Sequence, residues 1–271
     1  MTEPRQEFRR DQAAAWQFET CVVPYFLGPW IPDLIGRASL QAGDRVLDVA
    51  CGTGAVTRVA AVKVGSSGSV VGLDMSPEMV AVAKQVTGRL VPAIEWHIGD
   101  AARLPFADSS FDTVLCQQGL QFFADRQGAA REFRRVLSPS GKVAVAVWSK
   151  IENNNYFLAV GRAATRYLGE EVGRQYQTSF SLAKPVELRT LLLNAGFKSV
   201  EVKSLAKKMT LPPLEKFIQR HLASTSLASH FAAIDPETQA AFVAHMAREL
   251  QIEDTASESA FPFEVNMGWA Q

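Results

Sequence analysis

Three carboxylates are the residues of this sequence best placed to do chemistry. Asp48 lies within Arg45-Val-Leu-Asp-Val-Ala50, next to the small-residue turn Cys51-Gly-Thr-Gly54. Asp74 follows Val70-Val-Gly-Leu73, and Asp100 follows Ile98-Gly99. A tight turn of small residues between a strand and a helix lets a ligand approach the backbone and offers it the N–H groups of a helix N-terminus. Asp48 would repel a phosphate at that turn and attract an amino group, directly or through water. A buried carboxylate is costly unless it is paired. Asp74 can accept hydrogen bonds from both hydroxyls of a ribose, and Asp100 can accept the exocyclic amine of an adenine. Each feature has a structural alternative: a plain turn at 51–54, a helix cap at Asp74, a turn-forming Asp after Gly99. Ser76 before Pro77 fills the capping role better than Asp74 does. Three acids at the ends of three successive strands point to a ligand, because open α/β sheets bind ligands at that edge.

The elements that must position these acids follow a rhythm. Strands are expected at 45–50, 70–73, 94–98, 112–117 and 142–148, with helices at 55–63, 77–86 and 126–137 between them. That alternation predicts a mostly parallel sheet covered on both faces. The first 40 residues read as one or two helices. Further helices are expected at 155–168 and 185–195, the latter ending at Gly196 in a left-handed cap. Residues 197–211 read as a long strand, 212–250 as two helices with Pro236 starting the second, and 261–269 as a final strand.

The 271 residues are 47% hydrophobic and 21% charged, enough for a substantial core without a disulfide or zinc staple. Lys+Arg and Asp+Glu both number 28, so no basic excess exists to drive nonspecific binding to nucleic acid. The three cysteines, Cys21, Cys51 and Cys116, form no CxxC pair, so no metal site is expected. No apolar run approaches the roughly 18 residues of a membrane helix. The polar start MTEPRQEFRRDQ lacks a signal-sequence core, and a cytoplasmic location is expected.

The stretches VLDVACGTG at 46–54, VVGLDMSPEMV at 70–80, IGDAARLPFADSSFDTVLCQQGLQFF at 98–123 and REFRRVLSPSGKVAVAVW at 131–148 resemble the class I S-adenosylmethionine-dependent methyltransferases. They look most like the small-molecule branch that includes the ubiquinone and menaquinone biosynthesis enzymes. The resemblance is strong over about 40–150 and weaker elsewhere. It implies a doubly wound, seven-stranded Rossmann-like α/β sheet with its last strand antiparallel. The implied domains are an N-terminal helical segment at 1–40, a core at 41–211, a helical lid at 212–255 and a final strand at 256–271.

By position, the resemblance puts Asp48, Gly52 and Gly54 beside the methionine part of the cofactor. Ala50 stands where the family has its first glycine. It assigns Asp74 to the ribose, Met75 to the adenine face, and Gly99, Asp100 and Ala101 to the adenine edge. Gln117 would offer its backbone carbonyl to the amino group. Residues 118–123 would form the wall facing the acceptor. Gln118, Phe122, Trp148 and Tyr25 are candidate pocket residues. The aromatics Trp16, Tyr25, Phe26 and Trp30 either line that pocket or dock the N-terminal segment, and docking is the better reading.

The implied reaction is direct displacement of the methyl group onto a small, partly apolar organic acceptor, leaving S-adenosylhomocysteine. A base is needed only where the acceptor must lose a proton. His221 and His230 are the candidates, each with a solvated or capping alternative, and His97 reads as structural. The absence of an Asn/Asp-Pro-Pro-Tyr/Phe stretch at Cys116-Gln-Gln-Gly119 argues against amino-directed DNA substrates. Arg131, Arg134 and Arg135 read as a solvated helix face. The expected state is a monomer or homodimer. Two rivals remain: a non-catalytic S-adenosylmethionine-binding sensor or partner-supporting protein, and a nicotinamide-dependent oxidoreductase. The loop at 50–54 does not fit the dinucleotide GxGxxG spacing of the latter.

Overall fold

Successive side chains of a strand face opposite sides of a sheet, and here that alternation builds two cores. In the computed structural model, which describes residues 11–271, Ala144, Ala146 and Trp148 face one side and Val143, Val145 and Val147 the other. The strands are β1 (Arg45–Val49), β2 (Ser69–Asp74), β3 (Ile94–Ile98), β4 (Phe111–Gln117), β5 (Leu137–Trp148), β6 (Val200–Leu211) and β7 (Ser259–Ala270), in the spatial order β3-β2-β1-β4-β5-β7-β6. The first five run parallel, and β7 is antiparallel to both β5 and β6.

One core holds α2 (Ile31–Ala38), α3 (Ala55–Val64) and α6 (Asn155–Leu168) against the Trp148 face. The other holds α5 (Arg126–Val136) and α8 (Pro185–Asn194) against the Val145 face. A small third cluster packs Ala15 of α1 (Gln12–Gln17) on Met79 and Val82 of α4 (Pro77–Thr87). Ser76 caps α4 as expected, accepting from the Met79 N–H at 3.2 Å, and Gly196 adopts the expected positive φ of 98°.

Three regions differ from the sequence reading. The N-terminal segment breaks into several pieces: α1, a π-helix at Phe18–Leu27, a short 3₁₀ turn at Gly28–Trp30, and α2. Pro24 lies inside the π-helix and has no N–H to give to an ordinary ladder. Residues 1–10 of the expected segment lie outside the described residues. A helix that the sequence reading missed, α7 (Glu170–Gln177), follows Gly169. The stretch after Pro212 holds three helices where two were expected: α9 (Leu214–Leu222), α10 (Ala228–Ala233) and α11 (Pro236–Glu249).

Trp148, the last residue of β5, pairs with Val265. The β6–β7 hairpin continues six residues further, to Leu211 and Ser259. The helices at 212–255 therefore branch from the edge at which β1–β5 end.

Candidate functional site

The turn after β1 is held in conformations that most side chains avoid. Ala50, Gly52 and Gly54 have φ of 56°, 55° and 81°. The two glycines are required for different reasons. A Cβ on Gly54 would lie 2.3 Å from the Trp96 ring, which also covers Gly72. The smallness of Gly54 thus makes room for a β3 side chain, a packing role that the sequence reading did not foresee. A Cβ on Gly52 would face Phe18 of the π-helix at 3.4 Å.

Asp74, at the end of β2, ties two elements together. One carboxylate oxygen accepts from the Gly52 N–H at 2.8 Å, and the other from the Ser76 N–H at 2.9 Å. The acid thereby locks the glycine turn to the N-terminus of α4. At the end of the next strand, the Gly99 N–H donates to the Asp74 backbone carbonyl at 3.0 Å. Asp100 accepts from the Ala102 N–H at 2.9 Å, the turn-forming arrangement, and Ala101 is buried.

Asp48 is 1% exposed and accepts from the Thr57 hydroxyl at 2.5 Å. Burial pushes its pKa up to about 7, with the Thr57 hydrogen bond opposing and the Asp74 charge adding to the rise. A cation between Asp48 and Asp74 would relieve that repulsion, so the site suits an ammonium and not a phosphate. On the same edge, Met75 is 52%, Ile98 57% and Phe122 58% exposed, leaving flat apolar surface beside Asp74 and Asp100. These acids and this surface fit an adenosyl group carrying an amino acid.

The N-terminal π-helix closes over the turn through contacts that no local pattern could reveal. Glu19 accepts from the Thr53 hydroxyl and pairs with Arg58 at 2.8 Å. Gln117, at the end of β4, donates its side-chain amide to the Leu27 carbonyl at 3.0 Å. The Gln118 N–H donates to the Ala146 carbonyl at 2.7 Å, and its φ of 54° turns the chain out of the strand.

Toward β5–β7 the same edge becomes aromatic. Phe26 lies 4.9 Å from Phe157 and 5.5 Å from both Tyr156 and Phe263, measured between ring centroids. Trp148 meets Phe157 edge-on, and Tyr25 meets Phe217 of α9 edge-on. Phe26 and Trp30 are fully buried, in keeping with docking, while Tyr25 is part-buried.

The histidines divide. His221 is buried in this cluster, with Nδ1 3.0 Å from the Tyr156 hydroxyl. The solvated alternative therefore does not hold for His221, whereas His230 is exposed on α10. His97 sits 2.6 Å from Glu95 and edge-on to Phe106.

The basic cluster on α5 requires a correction. Arg135 is no solvated side chain, since it donates to Glu132, to Asp108 and to the Leu104 and Phe106 carbonyls. It clamps the segment leading from β3 to β4. Among the described residues no group of His, Cys, Asp and Glu could hold a metal, and no helix is long and apolar enough to cross a membrane.

Comparison with known proteins gives this geometry its chemistry. A family model described as a methyltransferase domain matches residues 47–145. A demethylmenaquinone methyltransferase of Lactobacillus johnsonii is 35% identical over 188 residues, 65% of this chain and 77% of that protein. A chloroplastic 2-phytyl-1,4-beta-naphthoquinone methyltransferase of Arabidopsis thaliana is 34% identical over 188 residues, 63% of this chain and 70% of that protein. In fold, the chain is similar to a Haemonchus contortus phosphoethanolamine N-methyltransferase solved with S-adenosylmethionine, with a TM-score of 0.61 at 19% identity, covering 98% of this chain and 58% of that one. No support emerges for the non-catalytic sensor. The chain belongs to the class I S-adenosylmethionine-dependent methyltransferases and transfers a methyl group from that cofactor to a small molecule.

Proposed function

We propose that the acceptor is a small aromatic hydroquinone of the naphthalene type. The observation that carries this reading is the aromatic cluster at the β5 end of the same sheet edge, where Trp148 meets Phe157 and the part-buried Tyr25 meets Phe217. The relatives named for demethylmenaquinone and naphthoquinone support it. Bound S-adenosylmethionine supplies an electrophilic methyl on a sulfonium, so the acceptor must be a nucleophile. A reduced, electron-rich ring meets that need and an oxidised quinone does not.

In this reading Asp48 and the Gln117 carbonyl hold the amino group, and the turn at Ala50, Gly52 and Gly54 approaches the methionine part. Asp74 takes the ribose hydroxyls. Met75, Gly99, Asp100 and Ala101 enclose the adenine. Gln118, Phe122, Trp148 and Tyr25 border the acceptor, and residues 212–255 act as the lid that selects it over the 41–211 core. The π-helix excludes water through Phe18 and the Glu19–Arg58 pair, which favours transfer within a closed site. Of the two candidate histidines, the buried His221 beside Tyr156 is retained as the base for an acceptor proton, and the exposed His230 is set aside. The protein acts in the cytoplasm as a monomer or homodimer, without nucleic acid.

The test is anaerobic incubation with methyl-labelled S-adenosylmethionine and 1,4-naphthohydroquinone. Label should appear in an extractable naphthalene product. No label from folded enzyme that binds S-adenosylhomocysteine would overturn this acceptor class.

A further inference from the structure

Between the cofactor edge and the aromatic cluster stands a pair of amides that satisfy only half of each other's needs. Gln121 donates from Nε2 to Gln118 Oε1 at 2.7 Å. Gln118 Nε2 and Gln121 Oε1 are both buried, and neither has a hydrogen-bond partner among the described residues. Two facing amides can make two reciprocal bonds, but this pair makes one. Exchanging the nitrogen and oxygen of both side chains preserves the bond and still leaves one donor and one acceptor unpaired. The conclusion therefore does not depend on how the amides are assigned. Buried polar atoms without partners are rare and costly, and here two sit within an amide's width of a single hydrogen bond.

The backbone fixes the pair in place. Gln118 leaves β4 with positive φ. The Gln121 carbonyl accepts from Arg126 Nη2 at 2.5 Å and from the Ser181 hydroxyl at 3.1 Å. The turn between the two glutamines also abuts the glycine turn directly. A Cβ on Gly119 would lie 2.5 Å from the Ala50 Cβ. The unpaired donor and acceptor are thus carried on the turn beside the cofactor loop, and nothing else in the described structure uses them.

We propose that Gln118 and Gln121 form the element that reads the acceptor's oxygens. The pair takes a molecule with one oxygen to accept from an amide N–H and one hydroxyl to donate to an amide oxygen. This rests on the hydroquinone reading above and sharpens it. A hydroquinone satisfies both atoms, whereas its diether, like the oxidised quinone, offers acceptors alone and leaves the amide oxygen unmatched. Sites built on buried hydrogen bonds reject analogues that lack the matching group more strongly than apolar pockets reject a change of size.

The test uses the complex with S-adenosylhomocysteine, titrated anaerobically with 1,4-naphthohydroquinone and with 1,4-dimethoxynaphthalene. Wild-type protein should bind the hydroquinone at least tenfold more tightly than the diether. Gln118→Leu and Gln121→Leu should each erase that preference while leaving S-adenosylhomocysteine affinity within about twofold. In turnover the two variants should raise KM for the hydroquinone at least tenfold and change kcat less.

Equal binding of the two naphthalenes by wild-type protein, or binding of neither, would overturn the proposal even if a variant fails to fold. Label transfer to the hydroquinone that is indifferent to both substitutions would also overturn it while leaving the acceptor class standing. Discrimination without any label transfer would uphold the amide pair and remove the hydroquinone from the list of methyl acceptors.

Discussion

The two halves of the sheet edge at which β1–β5 end are built on opposite principles. At the ends of β1–β3 the site is polar and strained: a buried acid, a second acid tying two turns together, and three residues at positive φ in five positions. At β5–β7 it is apolar and dense, a cluster of rings centred on Phe26, Tyr156 and Phe263. The polar half spends stability on a geometry that suits one charged ligand. The aromatic half recovers it by burial. The difference also locates the glutamine pair, which stands at the seam.

The largest effect expected from breaking this contrast lies on the aromatic side. Phe263→Ala removes a fully buried ring from contact with Phe26, Trp148, Tyr156 and Phe157. It should cost about 3–5 kcal/mol in urea unfolding. Its affinity for S-adenosylhomocysteine should stay within about twofold. A large loss of cofactor affinity in a folded variant would show that the halves are not separable.

Asp48→Asn should act in the opposite direction on the polar side. With its pKa near 7, folded Asp48 holds a proton that the unfolded chain releases near pH 4. Stability from this group is therefore fully present below about pH 4 and lost as pH rises through about 7. The substitution should remove that slope and stabilise the ligand-free protein at pH 8 by roughly 2–4 kcal/mol. It should also weaken S-adenosylhomocysteine. Unfolding midpoints at pH 4 and pH 8 read the first effect, and calorimetry the second. An unchanged slope would mean that Asp48 ionises normally.

A smaller effect tests the seam itself. Ala50 occupies a left-handed conformation that a side chain disfavours, and Gly119 gives its methyl room. Ala50→Gly should raise stability by about 1 kcal/mol. Gly119→Ala should destabilise the protein alone and be tolerated better in the Ala50→Gly background. Additive effects would show that the two turns do not press on each other.

The same contrast explains what could be read from the sequence. The placement of the polar half was legible because it is set locally. Asp48, the 51–54 turn, Asp74 and Asp100 each sit at a strand end that the alternating pattern already marks, so position and residue type speak together. The parallel core was legible for the same reason, down to the caps at Ser76 and Gly196. The aromatic half was legible only in part: Tyr25, Phe26 and Trp148 stood out, but not the cluster that they join. Tyr25, Phe26, Trp148, Tyr156, Phe217 and Phe263 come from five separate elements, and no spacing links them before the chain folds.

The contacts that close the glycine turn were hidden likewise. Glu19 reaches Arg58 across 39 positions, and Trp96 fills the space that Gly54 leaves. The clamped Arg135 shares that origin, since its partners Leu104, Phe106 and Asp108 lie 27 to 31 positions away on the segment before β4. The glutamine pair shows the limit most plainly. Gln118 stood out as the residue after β4, whereas Gln121 stood out only as part of the 118–123 wall, and its buried, unpaired oxygen depends on the fold.

The most direct test of the account is a calorimetric titration of wild-type protein and Asp74→Asn with S-adenosylhomocysteine. Asparagine keeps an oxygen for the Gly52 N–H but loses the charge and one of the two oxygens proposed to take the ribose hydroxyls. The account predicts micromolar binding by wild-type protein, weakened by about 1–3 kcal/mol in the variant. No binding by folded wild-type protein, or an affinity that Asp74→Asn leaves unchanged, would contradict the placement of the cofactor on this edge.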